Sequence, residues 1–293
     1  MFSMSDLGLL SYYLGIEVKQ TSEGIFLGQA RYASKILKKC GMEKCNPAAT
    51  PLEHKLKLSK ESKSPSVNAT DYRSVVGSLR YLIHTRPDIC YAVGVVSRFM
   101  ENPTEEHLLA VKHILRYVRG SPTLGCFYRR EGTERVRLIG YSDSDLAGDI
   151  DDRKSTTGMI FYLGSSPITW SSQKQKTVAL SSCQAEYIAA AAAACQGIWL
   201  VRLLDDLFGE ADIKIQLKVD NQSAISLSKN PVYHDRSKHI ETRYHFIREC
   251  VENGQVVVEH VRTEDQMADI LTKALGRVKF LEMRGRIGMT AIS

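Results

Sequence analysis

The 293 residues are 43% apolar and 25% charged, enough for one large core or two ordinary ones and too apolar for a disordered chain. A net charge of +6 and a pI near 8.8 suit a polyanionic partner. Seven cysteines without a disulfide framework, and a start MFSMSDLGLL lacking the basic and apolar parts of a secretory signal, point to a reducing intracellular compartment, cytoplasmic or nuclear.

Along the chain, YYLGIEV and GIFLGQ flank the turn-like TSEG and predict a hairpin, and RYASKILKKCG reads as a helix ended by Gly41. Residues 45–70, CNPAATPLEHKLKLSKESKSPSVNAT, are rich in Ser, Lys and Pro with little apolar periodicity, and read as a long loop or linker. Cys40 and Cys45 come nearest to a metal pair, but a zinc site needs about four ligands and no second pair lies nearby, so no zinc is expected. Three helical segments follow: DYRSVVGSLRYLIHT, then PDICYAVGVVSRFM with proline at its first position, then PTEEHLLAVKHILRYVRG with glycine at its end. LGCFYRR is a strand, and REGTER a polar turn.

The C-terminal half carries four acids, each at a marked place. VRLIGYSD alternates as a half-buried strand and delivers Asp143 at its end. In SSCQAEYIAAAAAACQGIWLVRLL, Ser181 or Ser182 can cap an alanine-rich helix with Glu186 in its early turns. Arg202, Asp205 and Asp206 interrupt this most apolar stretch, so no membrane span is expected. Asp220 closes the apolar run IKIQLKVD before the helical NQSAISLS. His234, His239 and His245 lie in a basic, helix-like segment, and His260 ends the strand QVVVEH. Asp269 sits in MADILTKAL, a short amphipathic helix entered through Thr263, Glu264 and Asp265.

An acidic cluster inside a basic chain repels phosphate unless cations are bound, with Lys and Arg nearby to hold the substrate. Four converging carboxylates would also repel one another, and two Mg²⁺ about 4 Å apart, with Mn²⁺ able to substitute, remove that conflict. This pattern points to a metal-dependent nuclease. Taken singly, each acid is as well explained as a turn former, a cap or a partner of a helix dipole. Asp145, Asp149, Asp151 and Asp152 lie close to Asp143, and composition does not separate them from it; strand alternation would point Asp145 to the same side.

YSDSDLAGDIDDRKSTTG, SSCQAEYIAA, KVDNQSAI, HDRSKHIETRYHFIREC and QMADILTKAL resemble, in order, the ribonuclease H domain of Ty1/copia-type retrotransposon Pol polyproteins. The likeness continues upstream in FSMSDLGLLSYYLGIEV, YRSVVGSLRYLIHTRPDICYAVGVVSRFM and HLLAVKHILRYVRGS, so it covers nearly the whole chain. The resemblance implies a mixed α/β fold: a ribonuclease H-like five-stranded mixed sheet with flanking helices, preceded by a partial reverse transcriptase tail and a helical connection region. The corresponding division is 1–50 for the tail, 51–70 for a linker, 71–130 for the connection region, 131–280 for the ribonuclease H-like domain and 281–293 for a C-terminal tail.

It also implies hydrolysis of the RNA strand of an RNA·DNA hybrid, with the rest of the reverse transcriptase, palm and fingers, as a partner. Asp143, Glu186, Asp220 and Asp269 match the family's four acids. Asp143 would bridge two ions with Asp220 beside it, Glu186 would serve the leaving-group side and Asp269 the water side. Arg153, Lys154, Ser155, Asn221, Gln222, Lys238 and His239 are candidates for substrate contact, with a solvated turn the alternative for residues 153–155 and helix packing the favoured alternative for His239. The polymerase's Tyr-x-Asp-Asp hairpin belongs before the first residues of this chain, and Asp205 and Asp206 do not replace it, so no primer extension is expected. The histidine-bearing loop that cellular ribonucleases H place before the last acid is also missing, since only RTEDQMA intervenes. Leu146 and Gly197 depart from the family pattern, which usually has Trp and Glu there. The competing reading is a catalytically silent, element-derived remnant or a module for hybrid binding or assembly.

Overall fold

The computed structural model describes residues 8–130, 137–209, 213–229 and 243–291. Two five-stranded sheets form. In the first, β1 (Tyr12–Tyr13), β2 (Ile16–Gln20), β3 (Gly24–Gly28), β4 (Leu124–Arg129) and β10 (Met289–Ala291) lie side by side, all antiparallel. The predicted hairpin is β2 with β3, and α1 (Ala30–Lys39) follows it, with Gly41 at φ +64° beyond its end.

The predicted helical segments form as α2 (Ala69–Leu82), α3 (Cys90–Val96) and α4 (Glu105–Arg119). Asn68 Oδ1 caps α2 by accepting the Thr70 and Asp71 amides at 2.9 and 3.2 Å. At the start of α4 the Thr104 amide donates to His107 Nδ1 at 3.0 Å. Between α2 and α3 a buried Arg86–Asp88 pair closes in a bidentate fork, 2.9 and 2.8 Å, with the Tyr117 hydroxyl donating to Asp88 at 2.6 Å.

The second sheet has the order β7 (Ser166–Lys174), β6 (Thr156–Leu163), β5 (Leu138–Ser144), β8 (Ile215–Val219), β9 (Val256–His260). β7, β6 and β5 are antiparallel neighbours, whereas β5, β8 and β9 run parallel. The parallel strands require crossovers, supplied by α5 (Ser182–Phe208) before β8 and by α6 (Gln222–Lys229) and α7 (Arg243–Glu252) before β9. This is the expected ribonuclease H-like mixed sheet. Ser181 caps α5, accepting the Gln184 amide at 3.1 Å. By length and composition alone α5 would suffice to cross a membrane, a test that the core helix of a soluble protein also passes. Half of its apolar window is nevertheless buried inside the protein, where its alanines share a core with Leu138, Phe161, Ile215 and Leu217. Gly197 is the point of close approach: a Cβ there would stand 3.0 Å from Ile215 Cδ1 and 3.3 Å from Phe161 Cε1.

The two faces of β6 serve different cores. Phe161 packs under α5, while Ile160 and Tyr162 join the core built by α1 to α4. Three local features go beyond the sequence reading. Residues 51–68 form a loop held to the rest of the fold: Leu52 and Leu58 are buried, and Ser59 and Lys60 donate to the Asp151 carboxylate at 2.6 and 2.9 Å. The C-terminal tail is integral, since Phe280 and Met283 of α8 (Arg277–Arg286) are buried and β10 completes the first sheet beside β4. Asp269 lies in a tight 3-10 turn, Met267–Leu271, rather than an amphipathic α-helix; Ile270 and Leu271 pack into the core of α1 to α4.

Candidate active site

β5 and β8 run parallel and end at the same edge of the sheet, which brings Asp143 and Asp220 together. α5 crosses above them and lowers Glu186 from its second turn. One ligand oxygen from each of Asp143, Glu186 and Asp220 lies within 4.8 Å of the others. Two full negative charges at that spacing repel by roughly 3 kcal/mol at an effective dielectric of about 20. Asp143 and Glu186 are 1% and 5% exposed, so water does little to relieve them.

The supporting bonds fix each carboxylate. Thr272 Oγ1 donates to Asp143 Oδ2 in a short hydrogen bond. The Ser144 amide donates to Glu186 Oε1 at 3.2 Å, and Thr263 Oγ1 to Asp220 Oδ2 at 3.3 Å. Glu186 Oε2 is buried without a hydrogen-bond partner. Burial and the charges of Asp143 and Asp220 push the Glu186 carboxyl well above its usual range. Burial and the charge of Asp143 also raise the Asp220 carboxyl. An orphaned buried oxygen among like charges is the environment that a bound divalent cation satisfies, so these three residues fit a hard metal ion with oxygen ligands.

Asp269 stands outside this group of three. Its Oδ1 pairs with Lys273 Nζ at 2.8 Å, and the same ammonium lies 3.7 Å from Asp143 Oδ2. Burial, then the charge of Asp143, raises the Asp269 carboxyl. Burial disfavours the Lys273 ammonium, but Asp143 and Asp269 outweigh it and hold the amine charged above its ordinary value.

The neighbouring acids separate cleanly. Asp145 turns away from the cluster, takes the Thr156 amide in a short hydrogen bond and lies across Gly148, where a Cβ would collide with it. Burial pushes its carboxyl up to about 6. Asp149 organises the loop after β5, pairing with Arg98 at 3.1 Å and Lys174 at 2.7 Å. Among the residues expected at the substrate, Arg153 is exposed and Lys154 pairs with Asp152 at 3.4 Å. Ser155 is corrected: it is fully buried and accepts the Ala147 amide at 3.1 Å, so it shapes the loop and does not face a ligand. Asn221 Oδ1 accepts the Ala224 amide at 3.0 Å and so caps α6, with Gln222 exposed beside it. Lys238 and His239 lie outside the described residues.

The family model described as reverse transcriptase (RNA-dependent DNA polymerase) matches residues 1–54. Over 291 residues, 99% of this chain, the sequence is 46% identical to the Retrovirus-related Pol polyprotein from transposon RE1 of Arabidopsis thaliana, of which it covers 20%. The corresponding protein from transposon TNT 1-94 of Nicotiana tabacum is 45% identical over 297 residues, 98% of this chain and 22% of that protein. An uncharacterized mitochondrial protein of Arabidopsis thaliana, AtMg00810, is 42% identical over 198 residues, 68% of this chain and 81% of its own length. This chain belongs to the Pol polyprotein family of copia-type transposons. It spans about a fifth of the length of the Pol polyproteins it matches. Among solved structures, LC11-RNase H1 isolated from compost is similar at 21% identity, with 46% of this chain and 92% of that one covered and a TM-score of 0.33.

Within this Pol segment, the site roles of Thr263, Thr272 and Lys273 are what sequence reasoning missed. The spacing of Asp269 and Lys273, i and i+4, was the available signal for an ion pair. Nothing in the sequence marks the Thr272 hydroxyl, whose partner Asp143 is 129 residues away.

Proposed function

We propose that this chain hydrolyses the RNA strand of RNA·DNA hybrids with divalent metal, as the ribonuclease H part of a transposon Pol protein. The observation that carries the reading is the convergence of Asp143, Glu186 and Asp220, with a buried, unpartnered oxygen on Glu186. These three residues would hold one Mg²⁺, and Asp143 with Asp269 a second. Bound Mg²⁺ supplies positive charge against the scissile phosphate and makes an attacking water more acidic. The chain's own contribution is position: Thr272 fixes Asp143, the Ser144 amide fixes Glu186, and the Thr263 hydroxyl fixes Asp220. The RNA strand would be recognised by minor-groove shape and 2′-hydroxyls, with the exposed side chains of Arg153 and Gln222 as candidate contacts.

The remainder of the reverse transcriptase is the proposed protein partner. Leu9, Leu10, Tyr12, Tyr13 and Leu14 form an exposed apolar run at β1, suited to covering by that partner. The reading is tested by incubating the protein with labelled RNA in a hybrid, single-stranded RNA and duplex DNA, in Mg²⁺ and in chelator. Cleavage confined to the hybrid RNA and abolished by chelator is expected. Folded protein that binds the hybrid in Mg²⁺ without cutting it would leave only a binding module.

A further inference from the structure

We infer that the Lys273 ammonium is a built-in occupant of the second cation position, so that the free protein takes up one divalent ion readily and a second only when Lys273 moves away. The inference rests on the acidic cluster being a metal site, as proposed above. Its basis is the division of the four acids. Asp143, Glu186 and Asp220 gather within 4.8 Å with no cation among the described residues beside Glu186 Oε2, whereas Asp269 Oδ1, likewise buried without a hydrogen bond, is matched by the Lys273 ammonium in an ion pair at 2.8 Å. The same ammonium reaches 3.7 Å from Asp143, the acid common to both groups. Lys273 therefore stands between the two carboxylates that would have to share a second ion.

The placement is built by the backbone. The Lys273 amide donates to the Asp269 carbonyl at 3.3 Å and the Thr272 amide to the same carbonyl at 3.2 Å, closing the turn that carries all three residues. An ammonium offers three donors and no acceptor, so it cannot join a divalent ion's oxygen ligands and can only repel the ion. The Lys273 side chain is 42% exposed, which leaves it a path toward solvent or a substrate phosphate. Lysine thus neutralises part of the acidic charge before loading and makes the second ion dependent on substrate.

Uptake of Mn²⁺ alone, followed through the electron paramagnetic resonance of the free ion, tests this in the wild type, Lys273→Gln, Glu186→Gln and the Lys273→Gln/Asp269→Asn double variant. One strong site is expected in the wild type, weakened in Glu186→Gln. A second site, strengthened roughly tenfold or more, is expected in Lys273→Gln and lost in the double variant. Equal second-site affinity in wild type and Lys273→Gln would overturn the inference while leaving the metal site standing. No uptake by folded wild-type protein would overturn both. A measurement on the wild type alone guards against a variant that fails to fold: in ¹⁵N-labelled protein the Lys273 Nζ signal should hold through the first equivalent of Mg²⁺ and change with the second. A complete change at the first equivalent, or none at saturation, would overturn the inference.

Discussion

Asp143 and Asp145 are two residues apart, and their side chains do different work. Asp143 meets acids from a neighbouring strand and an overlying helix, whereas Asp145 spends its carboxylate on the Thr156 amide. The raised carboxyls have a consequence for stability. A carboxyl whose pKa is higher folded than unfolded favours the folded state below pH about 4, and that contribution is lost as pH rises through the folded value. Glu186, Asp220 and Asp269 all shift this way. In chelator, the melting temperature should therefore fall between pH 5 and pH 8, and Glu186→Gln should flatten the fall. Added Mg²⁺ should stabilise more at pH 8 than at pH 5, because it binds the deprotonated form. Asp149, which burial would raise but Lys174 holds down, contributes the opposite slope only below pH about 4, outside this window. Equal melting temperatures at the two pH values, with and without Mg²⁺, would contradict this account of the cluster.

At the scale of elements, the strands bearing Asp143 and Asp220 and the alanine-rich helix bearing Glu186 were legible in the sequence, because alternation and a serine cap mark them locally. The turn bearing Asp269 was not, since its geometry comes from Ile270 and Leu271 entering a core made by distant helices. Gly197 looked like a weakness in α5, where a glycine costs about 1 kcal/mol against alanine. Its contact with Ile215 and Phe161 gives it a packing role instead. Gly197→Val should destabilise the protein by about 1–3 kcal/mol through overpacking, read as a lower urea midpoint. An unchanged midpoint would show that α5 can lift from the sheet without cost.

For the whole molecule, the structure shows contacts between distant segments that the sequence does not record. Linker-like composition marks the loop that the structure shows up to residue 68, yet composition carries no record of Ser59 and Lys60 closing on Asp151. The pairing of β10 with β4 joins positions more than 160 residues apart, which no local pattern reveals. Residues 131–280 expressed alone would expose Ile160, Tyr162, Ile270 and Leu271, each losing about 1.5–3 kcal/mol of burial. That segment should melt well below the full chain or aggregate, as differential scanning calorimetry and light scattering would report. An equally stable, monomeric segment would show that the common core is dispensable.

In the proposed enzyme, Asp143, Glu186 and Asp220 form the catalytic cluster and the adjacent Asp145 does not. Single-turnover cleavage of the RNA strand of a hybrid in Mg²⁺ tests it directly when Asp143→Asn, Glu186→Gln and Asp145→Asn are compared with the wild type, each checked for a cooperative melt. Losses on the order of 100-fold or more are expected for the first two. Asp145→Asn should stay within about tenfold, since an asparagine oxygen can still accept the Thr156 amide. Wild-type rates in folded Asp143→Asn, or a loss in Asp145→Asn as deep as in Asp143→Asn, would contradict the claim.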